Sequence, residues 1–206
     1  MHNLIKLGMK IDHSCTVACS GGVDSMAILS FLSRRKTKPK VAYMNHGTGH
    51  GAQAEDFVKG YCNANGLELV VGSASRERSK EESPEEYWRN IRYEFLHSLE
   101  GQVVSGHHLD DCVGQWLFSS IHGRPGVMPV ANKNVVRPFM LTEKEAFRTW
   151  CVRHSVPWIE DESNQDEKYM RNFIRQNLLP QALKVNPGLQ KTVSKIVKLA
   201  YDKHNS

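Results

Sequence analysis

Cys15-Thr16-Val17-Ala18-Cys19-Ser20-Gly21-Gly22-Val23-Asp24-Ser25-Met26-Ala27-Ile28-Leu29-Ser30-Phe31-Leu32 passes from one apolar run through two glycines into a second. The pattern predicts a strand over Cys15 to Ser20 and a helix over Asp24 to Arg35, joined by a tight turn. A turn of this kind leaves backbone N–H groups pointing outward at the positive end of the helix, with no Cβ to obstruct them. It is a cradle for a phosphate. The hydroxyls of Ser20 and Ser25 add donors. A bare carboxylate beside a polyphosphate is repelled, so Asp24 in the same loop implies a divalent cation, read here as Mg2+. A Walker A loop needs a lysine after its last glycine, and this loop has none. The plain alternative is a Gly-Gly turn capped by Asp24.

Strand and helix signals alternate on either side of this turn through the first 120 residues, as they do in a parallel sheet wound with crossover helices. Strands are expected at Val41 to Met44, Leu67 to Val71 and Gln102 to Ser105, and helices at Gln53 to Asn65, Pro84 to Leu99 and His108 to Ile121. Ser83-Pro84-Glu85-Glu86 is a helix start, with a hydroxyl at the cap and proline at the first position. His122 to Asn134 reads as a loop and Val135 to Pro138 as a short extended piece. Helices follow from Thr142 to about His154, from Tyr169 to Leu178 and from Pro187 to Lys203. The expected architecture is α/β: a Rossmann-like, doubly wound parallel sheet over residues 1–140, with a helical extension over 141–206 packed on it.

Composition excludes some classes and decides little else. With 206 residues, 40% of them apolar and 24% charged, the chain is long enough for a sizeable core. No apolar run approaches the length of a bilayer span and the N-terminus is too polar for a signal peptide, so a cytoplasmic protein with no membrane partner is expected. The five cysteines contain no CxxC pair, which argues against disulfides and structural zinc. A net charge of +5 permits a nucleic-acid partner without requiring one.

Three further segments carry candidate chemistry. Gly47, Gly49 and Ala52 fit a GxGxxA dinucleotide fingerprint, but Val71-Gly72 stands where a ribose-binding acid is needed. The competing view is that His46 and this loop border a nucleotide at the carboxyl edge of the sheet. His107-His108-Leu109-Asp110-Asp111 follows the fourth strand directly and should emerge at that same edge, where its side chains suit metal binding or proton transfer. The alternative is a helix start whose acids merely answer the helix dipole. Arg171 and Arg175, four apart on one helix face, suit phosphate or an RNA backbone unless they are an ordinary solvated face.

SGGxDS at residues 20–25 resembles the PP-loop of ATP pyrophosphatases, which cleave ATP to AMP and pyrophosphate while adenylating a carbonyl-type oxygen. It occurs with HHxDD at 107–111, with Ser83-Pro84-Glu85-Glu86-Tyr87-Trp88-Arg89-Asn90-Ile91-Arg92-Tyr93, with Arg137-Pro138, and with DxSNxDxxYxRNxIRxxLLP from Asp161 to Pro180. Together and in this order, these segments resemble the tRNA(Ile)-lysidine synthetase family over about residues 14–185. The resemblance implies an N-type ATP pyrophosphatase fold acting on the wobble cytidine of tRNA(Ile) with a CAU anticodon. ATP would adenylate the C2 oxygen, and the ε-amine of free L-lysine would displace AMP. Ser20, Gly21, Gly22, Val23, Asp24, Ser25 and His46 would then bind ATP, and Asp24 with Asp111 would hold Mg2+. Asp24, His108, Asp111, Arg171 and Arg175 would serve catalysis, with His108 exchanging a proton near neutrality.

Arg89, Arg92, Lys191, Lys195 and Lys198 are the candidate RNA contacts, the lysines lining one face of the last helix. Trp116 and Tyr169 are candidates for a base-stacking aromatic, with core packing the commoner role for either. The family usually places an acid three positions after the second Asp of HHxDD, where this chain has Gly114. Two other readings remain: a tRNA 2-thiolation enzyme, which the scattered cysteines disfavour, and an ATP- and tRNA-binding module that has lost turnover.

Overall fold

The computed structural model describes residues 4–47, 49–160 and 170–206. The strands are β1 (Cys15–Ala18), β2 (Lys40–Met44), β3 (Leu69–Gly72), β4 (Gln102–Val104), β5 (Ala131–Asn132) and β6 (Val135–Val136). Helices α1 (Val23–Leu32), α2 (Gly49–Asn65), α3 (Pro84–Ser98) and α4 (Leu109–Ile121) each follow one of the first four strands. Beyond the sheet come α5 (Lys144–Arg153), α6 (Met170–Phe173), a π-helical turn (Ile174–Leu178), α7 (Leu179–Val185) and α8 (Leu189–Asn205).

The strands form one sheet in the order β3-β2-β1-β4-β6-β5. Every neighbouring pair is parallel except β5–β6, which is an antiparallel hairpin. Successive strand residues face opposite sides, and the core divides accordingly. Val17, Val41, Val104 and Val136 pack with α1, α2 and α5, whereas Ala42, Val103 and Val135 pack with Tyr93 and Leu96 of α3. The expected doubly wound sheet is therefore present. Met26, Ala27, Ile28 and Leu29 form an apolar run in α1 and are fully buried. A second cluster joins Cys112 and Val113 of α4 to Val193, Val197 and Tyr201 of α8.

The strand order reverses between β1 and β4, so the loops leaving their carboxyl ends diverge and open a crevice. Open α/β sheets bind their ligands at such switch points.

Several boundaries differ from the sequence reading, among them the end of α1 at Leu32 rather than Arg35, β3 at Leu69–Gly72 rather than Leu67 to Val71, and α8 at Leu189–Asn205 rather than Pro187 to Lys203. Helix α2 begins at Gly49 rather than Gln53, and its first turn comes close enough for the Tyr43 hydroxyl to donate to the Gly51 carbonyl at 2.7 Å. The segment read as loop up to Asn134 contains β5 and the turn of the hairpin, where Lys133 takes a left-handed backbone (φ 52°) that no glycine advertises. Helix α5 starts at Lys144, because Thr142 is fully buried and its hydroxyl bridges the backbone N–H and carbonyl of Lys6, each at 2.9 Å. The helix expected to stop at Leu178 instead continues through Pro180 to Val185. Pro180 has no N–H, and the π-helical turn just ahead of it shifts the bonding register where that donor is missing.

Candidate active site

The turn after β1 is closed by its own side chains. The Ser25 hydroxyl donates to the Gly22 carbonyl at 2.9 Å and accepts the Ser20 N–H at 3.1 Å, with the Ser20 hydroxyl 3.3 Å away. Gly21 has φ +84°, a conformation L side chains rarely adopt, and a Cβ there would lie 3.1 Å from Ile159. Its carbonyl accepts the Ile159 N–H at 3.0 Å, which ties the turn to the segment after α5. Gly22 enters α1 without a side-chain cap, so the first N–H groups of the helix remain available to an anion.

Facing the turn, His108 and Asp111 open α4 as a reciprocal cap, the His108 N–H donating to Asp111 Oδ2 at 3.1 Å. The buried His108 ring sits among three carboxylates. Its Nε2 is 3.6 Å from Asp24 Oδ2 and 3.5 Å from Asp111 Oδ2, and its Nδ1 is 3.5 Å from Asp110 Oδ2. Burial opposes the imidazolium, but Asp111, Asp110 and Asp24 outweigh it and raise the pKa to about 10. With no metal on these carboxylates, they favour the imidazolium form of His108 at neutral pH.

Burial likewise opposes the Asp111 carboxylate. His108, Arg171 and His107 nonetheless hold its pKa well below the usual carboxylate range, and Arg171 donates to Oδ1 at 2.6 Å. Asp110 accepts the Lys144 backbone N–H at 2.9 Å and the Gln190 amide at 3.2 Å, joining the starts of α4, α5 and α8. The neighbouring His107 behaves oppositely. Burial pushes its pKa down to about 3, and its Nδ1 lies 3.0 Å from the Ser105 hydroxyl, so it is neutral.

Between these walls lies a cavity of about 440 Å³. Ser20, Gly22, Val23, Asp24, Ser25 and His46 line one part of it, and His108, Asp111, Arg171 and Arg175 another. Gly21 shapes the turn from just outside. Arg92, placed among RNA contacts by the sequence reading, also lines the cavity, and burial lowers its pKa. Arg89 stays exposed on α3, and Lys191, Lys195 and Lys198 are exposed on α8.

Trp116 packs against the α4–α8 cluster, while Tyr169 and the rest of Asp161 to Tyr169 lie outside the described residues. His107, offered as a candidate with the rest of HHxDD, lines the cavity as a neutral ring. Of the lining, the sequence reading singled out neither Lys144 nor Tyr93, whose hydroxyl accepts from the buried Arg137 at 2.6 Å. It also missed Trp88, which meets the His46 ring edge-on with centroids 4.9 Å apart. A Cβ on Gly114 would meet only Ile174, at an ordinary 3.8 Å, so packing does not demand glycine there.

The donor set fits a magnesium ion. Asp24 Oδ1 is buried and has no hydrogen-bond partner, and Asp24 and Asp111 both approach the same imidazole nitrogen. Among the described residues no group of three or more His, Cys, Asp or Glu side chains forms a metal cage. Magnesium suits such a place, being held by one or two carboxylates together with substrate phosphates and water. All five cysteines are free and buried.

A phosphate cradle at the switch point of a doubly wound sheet, faced by a charged wall, defines a nucleotide-binding α/β protein. Residues 2–182 match the PP-loop domain family, and the chain belongs to it. It is 29% identical over 212 residues to the tRNA(Ile)-lysidine synthase of Pseudothermotoga lettingae, covering 95% of this chain and 46% of that protein. With the tRNA(Ile)-lysidine synthase of Vibrio parahaemolyticus it shares 31% over 199 residues, covering 89% of this chain and 45% of that one. The chain thus spans about half the length of the curated relatives it matches. The resemblance read from the motifs is borne out. In fold it is similar to the U34-tRNA thiolase NcsA from Methanococcus maripaludis, with a TM-score of 0.70 at 14% identity, over 97% of this chain and 72% of that one. Among the described residues no helix is long and apolar enough to cross a membrane.

Proposed function

We propose that this protein is an ATP-dependent ligase that adenylates the C2 oxygen of the wobble cytidine in tRNA(Ile) bearing a CAU anticodon. Pyrophosphate leaves in the first step. The ε-amine of free L-lysine then attacks C2, AMP departs and a C–N bond forms. The observation that carries this reading is the phosphate cradle of Ser20 to Ser25 within 3.6 Å reach of the His108 cluster through Asp24. The likeness to tRNA(Ile)-lysidine synthases supports the choice of substrate.

Each residue has a physical task under this reading. Backbone N–H groups of the turn and the Ser20 and Ser25 hydroxyls orient the phosphates, and His46 borders the nucleotide. Asp24 and Asp111 would hold Mg2+, which neutralises charge developing on the departing pyrophosphate. His108 keeps the two carboxylates in place. Arg171 and Arg175 bring guanidinium groups to the developing phosphate charge. Arg89, Lys191, Lys195 and Lys198 contact the RNA backbone, and the reaction belongs in the cytoplasm. A 2-thiolation enzyme would share the adenylation step, but all five thiols are buried, which weighs against sulfur delivery by this chain.

The test is incubation of the protein with tRNA(Ile) transcript, Mg-ATP and labelled lysine. Lysine-dependent AMP release with label retained in the RNA is expected, and neither would appear if the reading is wrong.

A further inference from the structure

The phosphate loop itself carries no lysine, yet one enters the same cavity from another element. Lys144 is the first residue of α5 and lines the cavity together with Ser20, Asp24 and His108. Its backbone is anchored by the 2.9 Å bond from its N–H to Asp110 Oδ2. Asp110 is 3.5 Å from one nitrogen of His108, and the other nitrogen is 3.6 Å from Asp24, so two side chains link the base of Lys144 to the loop.

Among the described residues no acid accounts for the charge at this position. Asp24, Asp111 and Glu160 share the cavity wall, but among the described residues Lys144 forms no ion pair with them or with any other acid. A cation at the first position of a helix also faces the positive end of the helix dipole, which disfavours it. Glu143, immediately before it, makes no side-chain cap. An anion in the cavity would give the ammonium the counter-charge that no acid among the described residues supplies.

We propose that Lys144 is a ligand of the ATP polyphosphate, supplying from α5 the cation that a Walker-type loop carries within its own sequence. This rests on the reading of the cavity as an ATP site. A flexible ammonium reaching in from a separate helix gives a compact point charge to the phosphates while leaving the turn free for Asp24 and its metal.

Titration calorimetry of the whole chain with Mg-ATP and, separately, with adenosine tests it. Lys144→Ala should weaken Mg-ATP binding about tenfold, the loss of one charge-assisted contact, and leave adenosine binding unchanged. Lys144→Arg should retain most of the affinity, and both variants should keep the wild-type melting temperature. Unchanged Mg-ATP affinity in Lys144→Ala would overturn the proposal, and so would equal weakening for ATP and adenosine, since that reports damage to the pocket. A wild-type protein that binds adenosine and Mg-ATP equally would sink the proposal as well. One that binds neither would sink the ATP-site reading itself.

Discussion

The two walls of the cavity are built in opposite ways. The side-chain bonds that close the turn of Ser20 to Ser25 join residues no more than five positions apart, and one backbone bond, from the Ile159 N–H to the Gly21 carbonyl, reaches beyond it. The charged wall is closed by bonds spanning 34, 60 and 80 positions, from Lys144 and Gln190 to Asp110 and from Arg171 to Asp111. The first wall draws its side-chain bonds from one short run of sequence, with Ser20 and Ser25 flanking the two glycines. The second exists only when α4, α5, α6 and α8 have all docked, so the charge arrangement depends on the cooperativity of the entire fold.

Removing the charge at the centre of the second wall should have the largest effect. Asp111→Asn preserves shape but deprives the buried His108 cation of a main counter-charge and releases Arg171. Breaking a buried pair costs about 3 kcal/mol, and His108 should account for most of it, because the Arg171 side chain is exposed and its pairing is screened. Equilibrium urea unfolding measures this. A loss below about 1 kcal/mol would mean that packing, not charge, holds the wall.

Gly21→Ala attacks the first wall. Its φ of +84° and the 3.1 Å approach to Ile159 predict a loss of roughly 1–2 kcal/mol, with weakened ATP binding. The damage should stay local. Hydrogen exchange should report faster opening near the turn and unchanged protection in α8, whereas Asp111→Asn should loosen α4 and α8 together.

The same contrast explains what the sequence could reveal. The β1 turn was legible because its determinants, Ser20, Gly21, Gly22 and Ser25, are consecutive or nearly so. HHxDD could be assigned to the same sheet edge, since it follows a strand directly, but its contacts with Arg171, Gln190 and Asp24 depend on packing no local pattern encodes. His107 and His108 make the point most directly. They are identical neighbours with opposite environments, one beside a serine hydroxyl and the other among three carboxylates. Lys144 was missed because it looks like any charged residue at a helix start. The β5–β6 turn was missed because Lys133 adopts its left-handed backbone without a glycine, and the helix through Pro180 because proline normally marks an end.

These two histidines also predict a pH dependence that sharpens the comparison. The folded pKa of His108 is raised from an ordinary 6.5 to about 10, so the stability it contributes is complete below 6.5 and is lost as pH rises toward 10. His107 is depressed from 6.5 to about 3, so its contribution is present above 6.5 and is lost as pH falls toward 3. Melting temperature should therefore pass through a maximum near neutrality. His108→Gln should flatten the alkaline limb and also weaken the acid limb in part, because Asp111 and Asp110 lose the cation that lowers their pKa, while the His107 contribution stays. An unaltered alkaline limb would show that other groups govern it.

The smallest expected effects lie outside both walls, on α8. Val193, Val197 and Tyr201 are buried against α4, while Lys191, Lys195 and Lys198 are exposed on the helix's outer side. These lysines make no contact with the cavity, so Lys191→Ala or Lys195→Ala should leave stability and ATP binding unchanged. If this face follows the RNA backbone, each substitution removes at most about one phosphate contact and lowers the slope of log affinity against log salt by roughly one. Filter binding of tRNA(Ile) over a salt series measures that slope. Unchanged slopes in both variants would make the outer face of α8 a solvated cover for the charged wall, and RNA contact would then fall to the arginines nearer the crevice, Arg89 on α3 and Arg92 in the cavity lining.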